Sequence, residues 1–106
     1  MKVANSGVWK PTDQEQEKKI AGSCDLTHVS LKAGGAAAVV SLYDGNSSDD
    51  KKPTNLRWVL DASTGTPDNE DFSEPLNFKK GIYAVLEQGN NFNAILCFAA
   101  DKTVFN

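Results

Sequence analysis

Residues 78–99, FKKGIYAVLEQGNNFNAILCFA, decide the reading of this chain. Two runs of strand-forming residues, Ile82 to Glu87 and Phe92 to Phe98, flank Gly89-Asn90-Asn91, residues that tolerate positive φ, so the stretch predicts a β-hairpin. A three-residue loop sets Ile82, Ala84 and Leu86 opposite Phe98, Leu96 and Ala94, and leaves Tyr83, Val85, Ile95 and Cys97 on the other face. A two-residue loop shifts the pairing by one and gathers Tyr83, Val85, Leu96 and Phe98 instead. In either register both faces are apolar, whereas a pair with one wet side alternates apolar with polar. The stretch is therefore expected at the centre of a sheet, its second face covered by another chain segment or by a partner.

Length and composition bound the rest. A chain of 106 residues supports one core, and 40 % apolar with 24 % charged residues is ordinary for a globular domain. The net charge of −3 gives no basic footprint for nucleic acid. No apolar run approaches the roughly 20 residues of a membrane helix, and the first residues, MKVANSGVWKPTDQEQEKK, lack the apolar core of a signal peptide. A protein made and kept in a cytoplasm, or delivered outside without the secretory route, is expected, with no membrane or nucleic-acid partner. Cys24 and Cys97 are too few for a disulfide framework and read as small buried thiols.

Taken in order, residues 1–19 read as a polar arm ahead of a single β domain at 20–106. Thr12 and Glu15 fit a capping box for a short helix over Asp13 to Lys19. The large apolar pair Val8-Trp9 stands out in this arm: it either folds back on its own domain or anchors a neighbour. Cys24 to Ala33 and Ala36 to Tyr43 flank Gly34-Gly35, which suits a two-residue hairpin turn. That register sets Thr27, Val29, Leu31 and Ala33 opposite Leu42, Val40, Ala38 and Ala36 on one apolar face, with Leu26, His28, Ser30 and Lys32 on a mixed one. Asp44 to Asn55 is a polar loop. Leu56, Trp58, Leu60 and Ala62 alternate with Arg57, Val59 and Asp61 as a half-buried strand. Ser63 to Pro75 reads as a second long loop, Leu76 to Phe78 as a short strand, and Lys79-Lys80-Gly81 as a turn or bulge. Val104 and Phe105 suit an edge pairing. Six or seven short strands without a convincing long helix predict an all-β fold, an antiparallel β-sandwich or small barrel, with the two long loops as its crossovers.

Residues able to carry chemistry are sparse. His28 lies near Ser30 and Ser41, but no acid that would orient its imidazole stands nearby in the sequence. Cys24 and His28 share a face by alternation, yet two further metal ligands are missing. Asp44-Gly45-Asn46, Asp49-Asp50, and Asp68, Glu70 and Asp71 place oxygens close together, without the spacing of a calcium-binding EF-hand loop. No phosphate loop, dinucleotide fingerprint or nucleophile elbow is present. The residues point away from an enzyme, with no cofactor and no metal expected.

The spacing Val29-Ser30-Leu31-Lys32-Ala33-Gly34, then Ala38 to Gly45, Leu60-Asp61-Ala62, Phe78 to Tyr83 and a last strand resembles the small β-sandwich virion proteins of tailed bacteriophages, the capsid decoration (cement) proteins and related accessory proteins. The resemblance covers about residues 24–98. It implies a jelly-roll-like or immunoglobulin-like sandwich on the capsid surface of a virion, made in the host cytoplasm, binding the major capsid protein or another virion protein, and often a homo-oligomer such as a dimer or trimer. Val8, Trp9, Tyr83 and Val85 are then the candidate partner-interface residues, with Trp9 buried on assembly. The alternative reading is a module for carbohydrate or a host surface, using loops 44–55 and 63–75 with Trp58 or Tyr43. An inhibitor of a host enzyme is a third.

Overall fold

The computed structural model describes residues 2–63, 65–88 and 94–103. Six strands follow one another: β1 (Lys2–Trp9), β2 (Glu17–Lys32), β3 (Ala38–Asp44), β4 (Leu56–Ala62), β5 (Asp68–Gln88) and β6 (Ile95–Thr103), with short 3-10 turns at Ser48–Asp50 and Pro53–Asn55. They form one antiparallel sheet in the order β1-β6-β2-β5-β3-β4. The chain is all-β, as its turn-rich, strand-forming sequence predicts.

Two strands are long, 16 residues in β2 and 21 in β5, and their ladder is the axis of the molecule. It breaks register between Lys19 and Ala21, between Gly22 and Cys24, and between Leu26 and His28. At the middle break Gly22 faces Gly81, and Lys79-Lys80 supply the extra residues on β5, so the bulge read from the sequence is present. Gly81 takes φ +145°, and a Cβ there would stand 2.5 Å from the carbonyl oxygen of Ala21. Only glycine fits.

The breaks divide the sheet into two halves. Residues 17–22 of β2, 81–88 of β5, β3 and β4 make one; β1, β6, 24–32 of β2 and 68–78 of β5 make the other. Side chains from both halves enter one core. Trp58 of β4 meets Phe72 of β5 edge to face at 5.0 Å between ring centroids. One core cluster runs through both, including Leu26, Val29, Leu31, Val40, Leu42, Leu60, Phe78, Ile82 and Leu96. Each such side chain contributes about 1.5–3 kcal/mol by leaving water. In β1, Gly7 lies against the ring of Phe98, where a Cβ would come within 2.6 Å of it.

The expected hairpins are both corrected. β5 pairs with β2 and β3, and β6 with β1 and β2, so β2 stands between the two strands expected to pair directly. Likewise β2 and β3 do not pair, because β5 lies between them. The ladder of two long strands joins far more backbone groups than either local hairpin would. Its core faces are nonetheless those the alternation gives: Val29, Leu31, Ala38, Val40 and Leu42 all point inward. Gly34-Gly35 carries the chain from one half of the sheet to the other instead of closing a hairpin.

The crossovers are therefore not the long loops. Residues 45–55 join neighbours β3 and β4, and most of 63–75 is strand within β5. The strands are also longer than expected. The arm is strand too: β1 pairs with β6 from Lys2↔Thr103 to Trp9↔Leu96, and Glu17 to Lys19 begin β2. Thr12 does bond the Glu15 amide through its hydroxyl at 3.0 Å, but reciprocal backbone bonds between the two residues close a turn, not a helix. Gly89-Asn90-Asn91, Phe92, Val104 and Phe105 lie outside the described residues.

Candidate functional site

The outward face of the β2-β5-β3-β4 half carries Glu17 and Lys19, Tyr83 and Val85, Ser41 and Tyr43, and Leu56 and Val59 from successive strands. Tyr83 and Val85 are buried here, which bears out the expectation that residues 82–86 are covered on both faces. The chain's own polar groups do the covering. The Tyr83 hydroxyl donates to Glu17 Oε1 at 2.8 Å, and Lys51, from the 45–55 loop, reaches Glu17 Oε2 at 2.7 Å. Hydrogen bonds from Lys51 and Tyr83 hold the Glu17 carboxyl below its ordinary range. Desolvation, then the bond to Glu17, pushes Tyr83 up to about 12. Such a satisfied cluster fixes the loop onto the sheet.

Trp9 is 4 % exposed in the chain's own core, its indole N–H donating to Glu15 Oε1 at 3.2 Å. It folds back on its own domain, so the single chain buries what was expected to await assembly. Of the four residues proposed for a partner, Val8 alone presents an open apolar surface, 60 % exposed.

The opposite outward face places a pair that sequence spacing could not reveal. His28 Nδ1 lies 2.6 Å from Asp71 Oδ1, across 43 residues of chain. An acid does orient this imidazole, contrary to the reading of the sequence. Ser30 sits two residues along and faces Cys97 on β6. The pair is open to solvent, with Asp71 86 % exposed in its side chain. The bulge at Leu26/His28 inverts the strand's parity, turning Cys24 inward while His28 faces out. Cys24 and His28 thus do not share a face. Cys24 and Cys97 are both free, and they too lie on opposite faces. Burial pushes the Cys24 thiol up to about 11.

The acidic loops use their oxygens to fasten backbone. Asp44 Oδ1 accepts from the Lys80 and Gly81 amides at 2.8 and 3.4 Å, and Asp50 Oδ2 from the Asn46 amide at 2.7 Å. Asp68 Oδ2 accepts from the Asp61 amide at 2.9 Å. Among the described residues no three His, Cys, Asp or Glu side chains gather as a metal site.

Among the described residues, β1 and β4 stand at the two edges of the sheet without a strand beyond them. β1 offers Val8; β4 offers Leu56 and Val59, 40 % and 44 % exposed. Leu56, Arg57, Trp58 and Val59 line a shallow open groove of about 330 Å³ along β4. Beneath it the Trp58 Nε1–H is buried with no acceptor among the described residues. The Trp58 ring, which lines the groove, also meets Phe72 edge to face. Val59 could be placed on the outward face from alternation. Leu56 could not, because a bulge opposite Leu42/Tyr43 turns it out.

No protein-family model matches this chain, and no curated protein matches it either.

Proposed function

We propose that the chain is a non-enzymatic structural protein of a phage particle, a head decoration protein that lies on the capsid lattice and strengthens it. The observation that supports this reading is the pair of sheet edges that, among the described residues, have no strand beyond them and carry open apolar side chains, Val8 on β1 and Leu56 and Val59 on β4. A free strand edge is a template for pairing with another chain, and proteins that do not use it blunt it with charges, prolines or a covering segment. Here apolar residues stand open beside it. The sequence resemblance supplies the partner, the major capsid protein or a neighbouring virion protein.

The experiment is co-sedimentation of the purified chain with heads of the phage that carries the gene, stripped of accessory proteins. Saturable binding in fixed ratio to the capsid subunit is expected, weakened by Val8→Lys. Absence of the chain from purified virions by quantitative mass spectrometry would sink the reading.

A further inference from the structure

We infer that β4 pairs with β4 of a second copy of the chain across a two-fold axis at Val59, joining the two sheets edge to edge. The inference goes beyond a role on a capsid and stands or falls separately from it.

The first argument is the edge itself. β4 is the last strand of the sheet, and the Asp61 amide turns away from β3 to meet the Asp68 carboxylate. Backbone groups alternate between the two sides of a strand, so Val59, two residues before Asp61, presents its N–H and C=O to the same open side. In an antiparallel pairing centred on Val59 these groups bond reciprocally to those of its copy. Asp68 keeps its hold on the Asp61 amide, which confines the new ladder to the middle of the strand.

The second argument is charge. Arg57 and Asp61 lie two residues before and after Val59, and all three are exposed. Two-fold pairing at Val59 sets Arg57 opposite Asp61 of the copy and Asp61 opposite Arg57 of the copy, with the Val59 side chains together between them. Opposite charges placed directly across strands stabilise the pair, and like charges oppose it. Within one chain the two residues stand about 13 Å apart along the strand and cannot meet. Neither has an ion-pair partner among the described residues. A shift of the centre to Trp58 or Leu60 breaks this match. β1 has no comparable pattern, since its outward residue Val8 is flanked by Ser6.

The third argument is apolar area. Leu56 and Val59 lie outward beside Tyr43, and pairing continues that strip across the junction. An edge ladder of about five residues buries less than a standard interface, so the dimer is expected to be a weak, concentration-dependent one.

The test is sedimentation equilibrium on the full chain at low salt, from about 1 to 300 μM. A monomer–dimer equilibrium is expected. Arg57→Asp and Asp61→Arg, which each bring like charges together, should weaken it at least about tenfold. The double variant Arg57→Asp/Asp61→Arg restores opposite pairs and should return the dissociation constant to within about threefold of the original. Val59→Lys places ammonium groups face to face on the axis and should leave a monomer. Far-UV circular dichroism and the thermal midpoint of each variant, all altered only at exposed positions, confirm that the fold persists. A monomer throughout the range overturns the inference. So does a dimer that survives Val59→Lys but is lost in Val8→Lys, or a double variant no tighter than the singles. None of these results touches binding to heads, which is read in the co-sedimentation experiment.

Discussion

Gly22 and Gly81 face each other across the longest ladder of the molecule, at a break in its register. The two glycines are not equivalent. A Cβ at Gly22 would meet nothing within 4 Å, whereas one at Gly81 would strike the Ala21 carbonyl from a backbone at positive φ. Gly81→Ala should therefore destabilise the fold by roughly 1–3 kcal/mol or more, while Gly22→Ala should change it by about 1 kcal/mol at most. Urea denaturation of the pair checks this, and equal losses would show that the bulge does not depend on glycine at position 81.

The cluster of Tyr83, Glu17 and Lys51 gives stability a definite pH dependence. The Glu17 carboxyl is lowered from 4.5 in the fold, so its contribution is present above that value and is lost as pH falls through the folded value. Tyr83 is raised from 10.0 to about 12, chiefly by desolvation, so the folded state holds a proton that the unfolded state has released. Stability then declines between those values as pH rises. Lys51, raised from 10.5 chiefly by its bond to Glu17, adds to the same alkaline decline. Cys24, raised from 9.0 to about 11 by burial, begins that decline earlier, so thermal midpoints should form a plateau from about pH 5 to 9 and fall on either side. Tyr83→Phe should flatten the alkaline limb, and an unchanged limb would count against this assignment.

The two thiols should respond very differently to alkylation. Cys24 is buried and its pKa stands near 11, whereas Cys97 lies on an outward face and is partly open. The thiolate is the reacting form. At pH 8, iodoacetamide on the native chain should add one label, at Cys97, and a second only in denaturant. Peptide mass spectrometry reads the result. Fast native labelling of Cys24 would contradict the inward turn that the bulge gives it.

Trp58 has a ring that packs and an N–H that does not bond. Trp58→Phe removes a buried donor without an acceptor and keeps the contact with Phe72, so it should cost less than about 1 kcal/mol. Trp58→Ala opens a cavity between the halves and should cost about 3–5 kcal/mol. Chemical denaturation of the two variants separates packing from hydrogen bonding at this site.

The parts of the fold legible in the sequence are those set by local alternation. Val29 and Leu31, Ala38, Val40 and Leu42, and Leu60 with Ala62 face the core, each alternating with residues on the other side. The continuous burial of Ile82 to Leu86 was legible for the same reason, as no polar residue interrupts the run. Pairing partners were not. A strand apolar on both faces fits several neighbours equally well, and proximity in the chain favours hairpins that long ladders displace. β1 was missed because Lys2, Asn5, Ser6 and Gly7 dilute its period. The His28–Asp71 pair and the cover over Tyr83 depend on register between distant segments, and one-residue bulges reset the parity that sequence alone would carry forward.

The pairing of β1 with β6 has a consequence for how the molecule comes to exist in a cell. During synthesis β1 emerges first, yet its partner is the last strand described, and β6 also fills the place beside β2. Until then, β1 and the flank of β2 are bare edges on a growing polypeptide. Completion of the sheet must wait for translation to reach residue 103, and closing so many distant contacts puts folding in the millisecond-to-second range typical of all-β topologies. The nascent chain is thus most exposed to unwanted pairing in the interval between the emergence of β5 and that of β6, and a chaperone that shields strand edges would act there.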